Sequence, residues 1–388
     1  MLDFSQMPVW SLALIPAAIG FLWLLFRIKQ SHKKQQSTLS SEYFKGLNYL
    51  LNDEQGKALD IFVKLVETNW DTIDTHFTLG KIYRKNGEMD KAIKIHQGLI
   101  ARPSLPERYR NKILLELGYD YLGAGWFDRA EGLFKEVLIQ DEKSKEARHN
   151  LILIYQQEKD WFKAIDIAVD LFSEAPAVIG PMIAHYYCEL AEISRTKGDI
   201  SQLETYAQKA LRHDASCVRA TILLADQAMS AGQDKQAIKL YEKIEKQDPE
   251  SMILVIDSLM KCHVGLSKQE KFYQYLLDLQ ERHENLFLQD VIASVIEVTE
   301  GKQAAIDYLS TEIKRQPSLI GLQTLLSYKE KNADEVFGSL STAISVMQKD
   351  SVKYRCQKCG FSTNTHYWLC PSCNHWGRVK PSVIGSEH

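Results

Sequence analysis

Residues 79–99 read LGKIYRKNGEMDKAIKIHQGL, and the spacing within this stretch decides the fold. Leu79-Gly80, Tyr83, Ala92 and Leu99 set small residues against large ones at helical intervals, with Gly87 between them as a helix breaker. The same residue types stand 34 positions earlier: Gly46 precedes Gly80, Tyr49 precedes Tyr83, Ala58 precedes Ala92 and Phe62 precedes His96. A 34-residue period is that of the tetratricopeptide repeat, in which two antiparallel helices interlock, small residues allowing close approach and large ones filling the gap.

The register continues toward the C-terminus as Leu117-Gly118, Tyr121, Gly125, Ala130 and Phe134, four residues out of step after a stretch containing Pro106. Ile152, Tyr155, Ala164 and Ala168 restore it. Ala175–Pro181 (APAVIGP) reads as a longer connection. Leu190-Ala191, Gly198, Leu203, Ala207 and Leu211 are then matched by Leu224-Ala225, Gly232, Ala237, Tyr241 and Glu245, and Pro249 closes that copy. Beyond it Leu254–Leu279 and Val291–Arg315 keep a helical period, and Ser327–Met347 is helical but barely repetitive. Six copies carry the full signature and two or three are degenerate, about eight or nine repeats over 41–349. The expected fold is therefore all-α, a right-handed superhelix whose concave face binds other molecules.

Both ends depart from this pattern. Pro8–Phe26 (PVWSLALIPAAIGFLWLLF) carries no charge over nineteen residues, enough for roughly 28 Å of helix, close to a bilayer core. Trp10 and Trp23 suit the two interfaces, and Arg27, Lys29, Lys33 and Lys34 follow the span. The reading is a single transmembrane anchor within residues 1–30, with the N-terminus outside and the body in the cytoplasm, followed by a polar juxtamembrane linker over 31–40. At the other end, Cys356-x-x-Cys359 and Cys370-x-x-Cys373 are separated by ten residues, the spacing of a tetrahedral thiolate site rather than of a disulfide. They predict a metal-binding domain over 350–388 holding one iron or zinc ion. Zinc would be purely structural, whereas iron would permit electron transfer. Tyr354, Phe361, Tyr367, Trp368 and Trp376 are expected to supply the small core around it, and His366 and His375 are superfluous beside four thiolates.

Composition excludes several classes. With 45 % hydrophobic and 25 % charged residues and a net charge of −3, the 388-residue chain has no strongly basic domain, so nucleic acid is not an expected partner. Four of the seven cysteines lie in the C-terminal cluster and Cys188, Cys217 and Cys262 stand alone, which fits a reducing compartment. No nucleophile elbow, phosphate loop or HExxH pair is present, and no enzyme is expected. His185 and Cys188 share a helix face without an orienting acid and read as buried packing. For partner contacts on the inner surface the candidates are His76, Lys81, Arg84, Asn111, Tyr119, Asn150 and Tyr187.

Anchor, repeat array and terminal Cys-x-x-Cys pairs together resemble the lipopolysaccharide assembly protein B family of Gram-negative bacteria. The strings that carry the resemblance are YRCQKCGF at 354–361, YWLCPSC at 367–373, LNDEQGKALDIF at 51–62, GEMDKAIKIHQ at 87–97 and AHYYCELA at 184–191. It implies a rubredoxin-like, zinc-knuckle terminal domain packed on the repeats, with Cys356, Cys359, Cys370 and Cys373 as ligands. It further implies a regulator in the inner membrane that promotes degradation of the deacetylase LpxC by the membrane protease FtsH, balancing lipopolysaccharide against phospholipid. Other inner-membrane regulators and lipopolysaccharide export proteins are possible partners. A scaffold for lipopolysaccharide assembly or export, or an electron-transfer protein with an iron centre, are the alternative readings. Asn374 stands where rubredoxins usually have glycine, in a knuckle that needs left-handed backbone.

Overall fold

The computed structural model describes residues 41–328, except 53, 69–72, 104, 174, 284–285 and 287, and residues 344 and 352–382. The expected anchor, the linker and most of Ser327–Met347 lie outside these residues. Among the described residues no helix is long and apolar enough to cross a membrane.

The repeats take the form of antiparallel helix pairs. A helix over residues 41–51 (α1) pairs with α2 (Gln55–Thr68), then α3 (Ile73–Lys85) with α4 (Met89–Ile100), and α5 (Glu107–Gly123) with α6 (Phe127–Gln140). After α7 (Lys145–Glu158) and α8 (Trp161–Phe172) come α9 (Pro176–Thr196), α10 (Ile200–His213), α11 (Val218–Ser230) and α12 (Asp234–Gln247). A 3-10 turn over Pro249–Leu254 leads to α13 (Ile256–Gly265), α14 (Gln269–Arg282), α15 (Gln289–Glu300), α16 (Lys302–Arg315) and α17 (Leu319–Tyr328). The chain forms two compact units, one ending at Glu158 and one beginning at Lys159.

The first unit shows why the 34-residue pattern specifies close helix pairs. A Cβ added to Gly46 would lie 2.8 Å from the Phe62 ring, one on Gly80 2.5 Å from His96, and one on Gly118 2.7 Å from Phe134. The first helix of each pair thus presents a hole and the second, sixteen residues on, fills it with a ring. Between the two helices the backbone turns through left-handed φ: +81° at Gly87, +77° at Gly125, +76° at Gly198, +72° at Gly232 and +98° at Gly301. Lys159 (φ +59°) and Ser267 (φ +55°) occupy the same turn. These two repeats are regular although the breaking glycine is missing.

One expected connection is corrected. Ala175–Pro181 is the start of a helix: Pro176 opens α9 at its first turn, where an N–H has no partner anyway, and Pro181 is carried inside the helix. Its cost is one missing backbone bond, to the Ala177 carbonyl. Gly180 then lets α9 pass the end of α10, because a Cβ there would lie 2.8 Å from the His213 carbonyl oxygen.

Among the described residues the C-terminal domain adds three short strands to the helices: β1 (Tyr354–Cys356), β2 (Ser362–Thr363) and β3 (Val379–Pro381), antiparallel in the order β2-β1-β3. Arg355 pairs with Ser362 on one side and with Lys380 on the other. The isolated bridge between Leu369 and Trp376 repeats the Arg355–Ser362 spacing in the second cysteine hairpin.

Candidate metal centre

Each Cys-x-x-Cys segment is folded by the same backbone bonds. In the first, the Gly360 N–H donates to the Cys356 carbonyl (2.9 Å) and the Cys356 N–H to the Phe361 carbonyl (2.8 Å). In the second, Asn374 N–H donates to Cys370 (2.9 Å) and Cys370 N–H to His375 (3.0 Å). The turns require left-handed backbone at Gly360 (φ +76°) and Asn374 (φ +53°), so the asparagine takes the conformation the knuckle demands. The N–H groups of Phe361 and His375 are thereby aimed at the sulfurs of Cys359 and Cys373.

The two hairpins bring Cys356, Cys359, Cys370 and Cys373 together with all four sulfurs within 4.8 Å of one another. Cys356 lies 3.7 Å from Cys373 and Cys359 3.7 Å from Cys370. A tetrahedral ion with metal–sulfur bonds of about 2.3 Å sets its sulfurs roughly 3.8 Å apart, whereas a disulfide needs about 2.05 Å. The donor set therefore fits one thiolate-bound metal ion. The sulfurs perturb one another: the Phe361 N–H, with the other three sulfurs, draws the Cys359 thiol down to about 6, while burial and the neighbouring sulfurs push Cys373 up to about 12. Four thiolates need a cation to coexist. Cys356 and Cys370 are buried, Cys373 is partly buried and Cys359 is exposed.

The histidines stay out of the cluster. His375 Nδ1 bonds the Cys373 carbonyl at 2.7 Å, and His366 packs between the Tyr354 and Trp368 rings. Two of the five expected core aromatics are in place. Tyr354 and Phe361 pack on Cys356, Cys370 and Val379, but Tyr367 is exposed and both tryptophans face outward.

Those tryptophans meet the helices of the second unit. Trp376 stacks on His185 of α9 (centroids 5.0 Å apart, planes 17° apart) and abuts Trp161 and Tyr186 edge-on. Its indole N–H donates to the Tyr186 hydroxyl. Trp368 lies 6.0 Å from the same His185 and 6.0 Å from the Arg219 guanidinium of α11. Lys380 of β3 pairs with Asp248 beside the 3-10 turn. Gly377 (φ +62°) is held so close that a Cβ would sit 3.1 Å from His185 Nε2. Burial, with Arg219 and Lys380 nearby, lowers His185 to about 3, so the ring at this junction is neutral. His185, expected as repeat packing, is the seat of the cap; Cys188, one turn on, does pack among repeat alanines.

The candidates for partner contacts fall in both units. In the first unit Arg84 donates to Glu116 (2.5 Å) and Asp120 (2.7 Å), Lys81 pairs with Glu116 (2.7 Å), and His96 Nδ1 meets Asp120 at 2.5 Å. This network consumes Arg84 and Lys81 in joining α3, α4 and α5. Asn150 donates to Tyr119, and His76 is buried. In the second unit Tyr187 stacks between Tyr206 and His213. Sequence reasoning missed the buried acids Glu116 and Asp120; the available signal was His96, a polar residue at the position where Phe62 and Phe134 fill the glycine hole.

Comparison with known proteins agrees with both parts. Residues 354–381 match a rubredoxin metal binding domain model and residues 75–107 a tetratricopeptide repeat model. Lipopolysaccharide assembly protein B of Escherichia coli K12 is 32 % identical over 377 residues, covering 95 % of this chain and 96 % of its own. The chain belongs to the lipopolysaccharide assembly protein B family. The Haemophilus influenzae member is 31 % identical over 97 % of this chain and 98 % of its own length. Among solved structures a tetratricopeptide repeat protein from Parabacteroides merdae aligns with 58 % of this chain and 83 % of its own, at TM-score 0.33 and 17 % identity, which adds nothing to the assignment. In this family member the cysteine cluster and its docking face on α9 and α11 are parts of one unit.

Proposed function

We propose that this family member is a non-catalytic adaptor that regulates lipopolysaccharide synthesis at the inner membrane. A span within residues 1–30, with its N-terminus in the periplasm, holds the body on the cytoplasmic side beside the membrane protease FtsH. The repeats present the deacetylase LpxC to that protease, so that deacetylase turnover balances lipopolysaccharide against phospholipid.

The observation that carries this reading is the docking of the cysteine cap. Its two tryptophans are committed to His185, Tyr186 and Arg219, on the first helices of two repeats. Cys356, Cys359, Cys370 and Cys373 would hold one ion that cross-links the cap, and the cap braces the helix face that partners use. Replacing Cys356 and Cys359 by serine is expected to lengthen the deacetylase half-life in cells to that of a strain lacking the protein; unchanged turnover sinks the proposal. The full-length protein is expected to co-purify the protease and to lose it when residues 1–30 are removed, whereas co-purification of export proteins alone favours an assembly scaffold instead.

Exposure of Cys359 favours a second reading, in which the ion is iron and exchanges electrons through that edge. Metal analysis and absorption spectra separate the two, since a colourless zinc protein with full regulatory activity excludes it.

A further inference from the structure

We propose that Cys188 and Cys217 form a redox-responsive dithiol that closes reversibly to a disulfide, tying α9 to α11 beneath the docked cap. The two sulfurs lie 3.8 Å apart on neighbouring helices and are 0 % and 4 % exposed. Around them pack Ala184, Ala191, Ala207, Ala210 and Ala220, which offer no side-chain hydrogen-bond partner. Closure to about 2.05 Å asks each sulfur to shift by just under about 1 Å.

The two thiols are not equivalent. Cys217 is the N-cap of the 13-residue helix α11, where the Ala220 N–H and the positive end of the helix face its sulfur. The Cys188 S–H, together with that amide, holds Cys217 below the ordinary thiol range, whereas burial holds Cys188 well above it. The place of Cys217 at the N-terminus of α11 makes it the nucleophile and Cys188 the resolving thiol. Their burial excludes bulky disulfides, so the oxidant in this proposal is a small one, hydrogen peroxide. The Cys217 thiolate attacks one peroxide oxygen, the O–O bond breaks, and the departing hydroxide takes up a proton, leaving Cys217 sulfenic acid. The Cys188 sulfur then attacks Cys217, the S–O bond breaks as the S–S bond forms, and the Cys188 proton leaves with the hydroxyl as water. Two thiols and one peroxide yield one disulfide and two waters.

The bond would be felt at the cap. Glu189, next to Cys188, accepts from Arg219, two residues after Cys217, at 2.7 Å, and that guanidinium lies over Trp368. His185, one turn before Cys188, carries Trp376.

The test treats the full-length, metal-loaded protein with graded hydrogen peroxide, blocks remaining thiols, and maps peptides by mass. A joined pair containing Cys188 and Cys217, about 2 Da lighter than the sum of its reduced parts, is expected before the cap releases its metal. Dithiothreitol must separate the pair, and the oxidised protein must unfold at a higher temperature than the reduced one. Cys188→Ala, placed in an alanine-lined site and checked for helicity and metal content, is expected to lose both effects and to carry Cys217 on to sulfinic acid. Cap oxidation and metal loss with no Cys188–Cys217 pair, or a pair that forms only after denaturation, overturns the proposal.

Discussion

Lys159 and Ser267 hold left-handed backbone in a turn that uses glycine in five other repeats. A side chain there costs about 1 kcal/mol or more in contact between Cβ and the following carbonyl, against roughly 0.5–1 kcal/mol of extra chain entropy that glycine loses on folding. Ser267→Gly is therefore expected to raise the unfolding free energy by up to about 0.5–1 kcal/mol, measured by denaturant titration, and a clear loss would show that the serine side chain holds the turn. Arg84 presents the opposite case. Asp120 is fully buried and Glu116 nearly so, and both accept from this guanidinium. Arg84→Ala leaves two buried carboxylates with His96 and Lys81 as their remaining partners and is expected to cost about 3 kcal/mol. An effect below about 1 kcal/mol would mean that the network is solvated in solution. Little of this was legible in the chain: a lysine or serine in a turn has no signature, and Glu116 and Asp120 look like any helical acids, His96 at the ring position of its repeat being the one hint that a buried polar partner exists.

At the scale of elements, α9 and the cap define each other. Trp376→Ala removes the ring that fills the space between Trp161, Tyr186 and His185, and about 3 kcal/mol of docking is expected to go with it. Metal content should survive, because Trp376 lies outside the knuckle cluster; loss of metal in this variant would mean that the cap cannot fold undocked. His185 adds a pH dependence. Folded, it titrates near 3; unfolded, near its ordinary value of about 6.5, so below that pH the unfolded chain binds a proton that the folded one refuses. Stability is full above about pH 7 and falls as pH drops toward 5, by up to roughly 1.4 kcal/mol per unit. Wild type compared with His185→Phe by thermal unfolding over that range isolates the effect; equal slopes would contradict the assignment of a buried neutral ring. The cysteine ligands were legible because metal geometry imposes local spacing, as were repeats marked by glycine and alanine. The docking was not, since residues 185 and 376 meet through tertiary packing, and two tryptophans in a small domain read equally well as its own core.

At the scale of the molecule, each repeat buries its surface mainly against its neighbours, so the last repeats of an array need an end that closes them. Here the cap instead packs laterally on α9, α11 and the turn after α12, with four cysteines that would hold one ion between its hairpins and tryptophans that join hairpin to helix. On the proposed function, the metal supports the repeat face as well as the cap. Amide hydrogen exchange on the full-length protein before and after chelation tests it most directly. Stripping the ion is expected to deprotect residues 354–381 and, with them, α9 around His185–Glu189 and α11 around Arg219, while the repeats up to Glu158 keep their protection. Loss of protection confined to 354–381, with α9 and α11 unchanged, would contradict it.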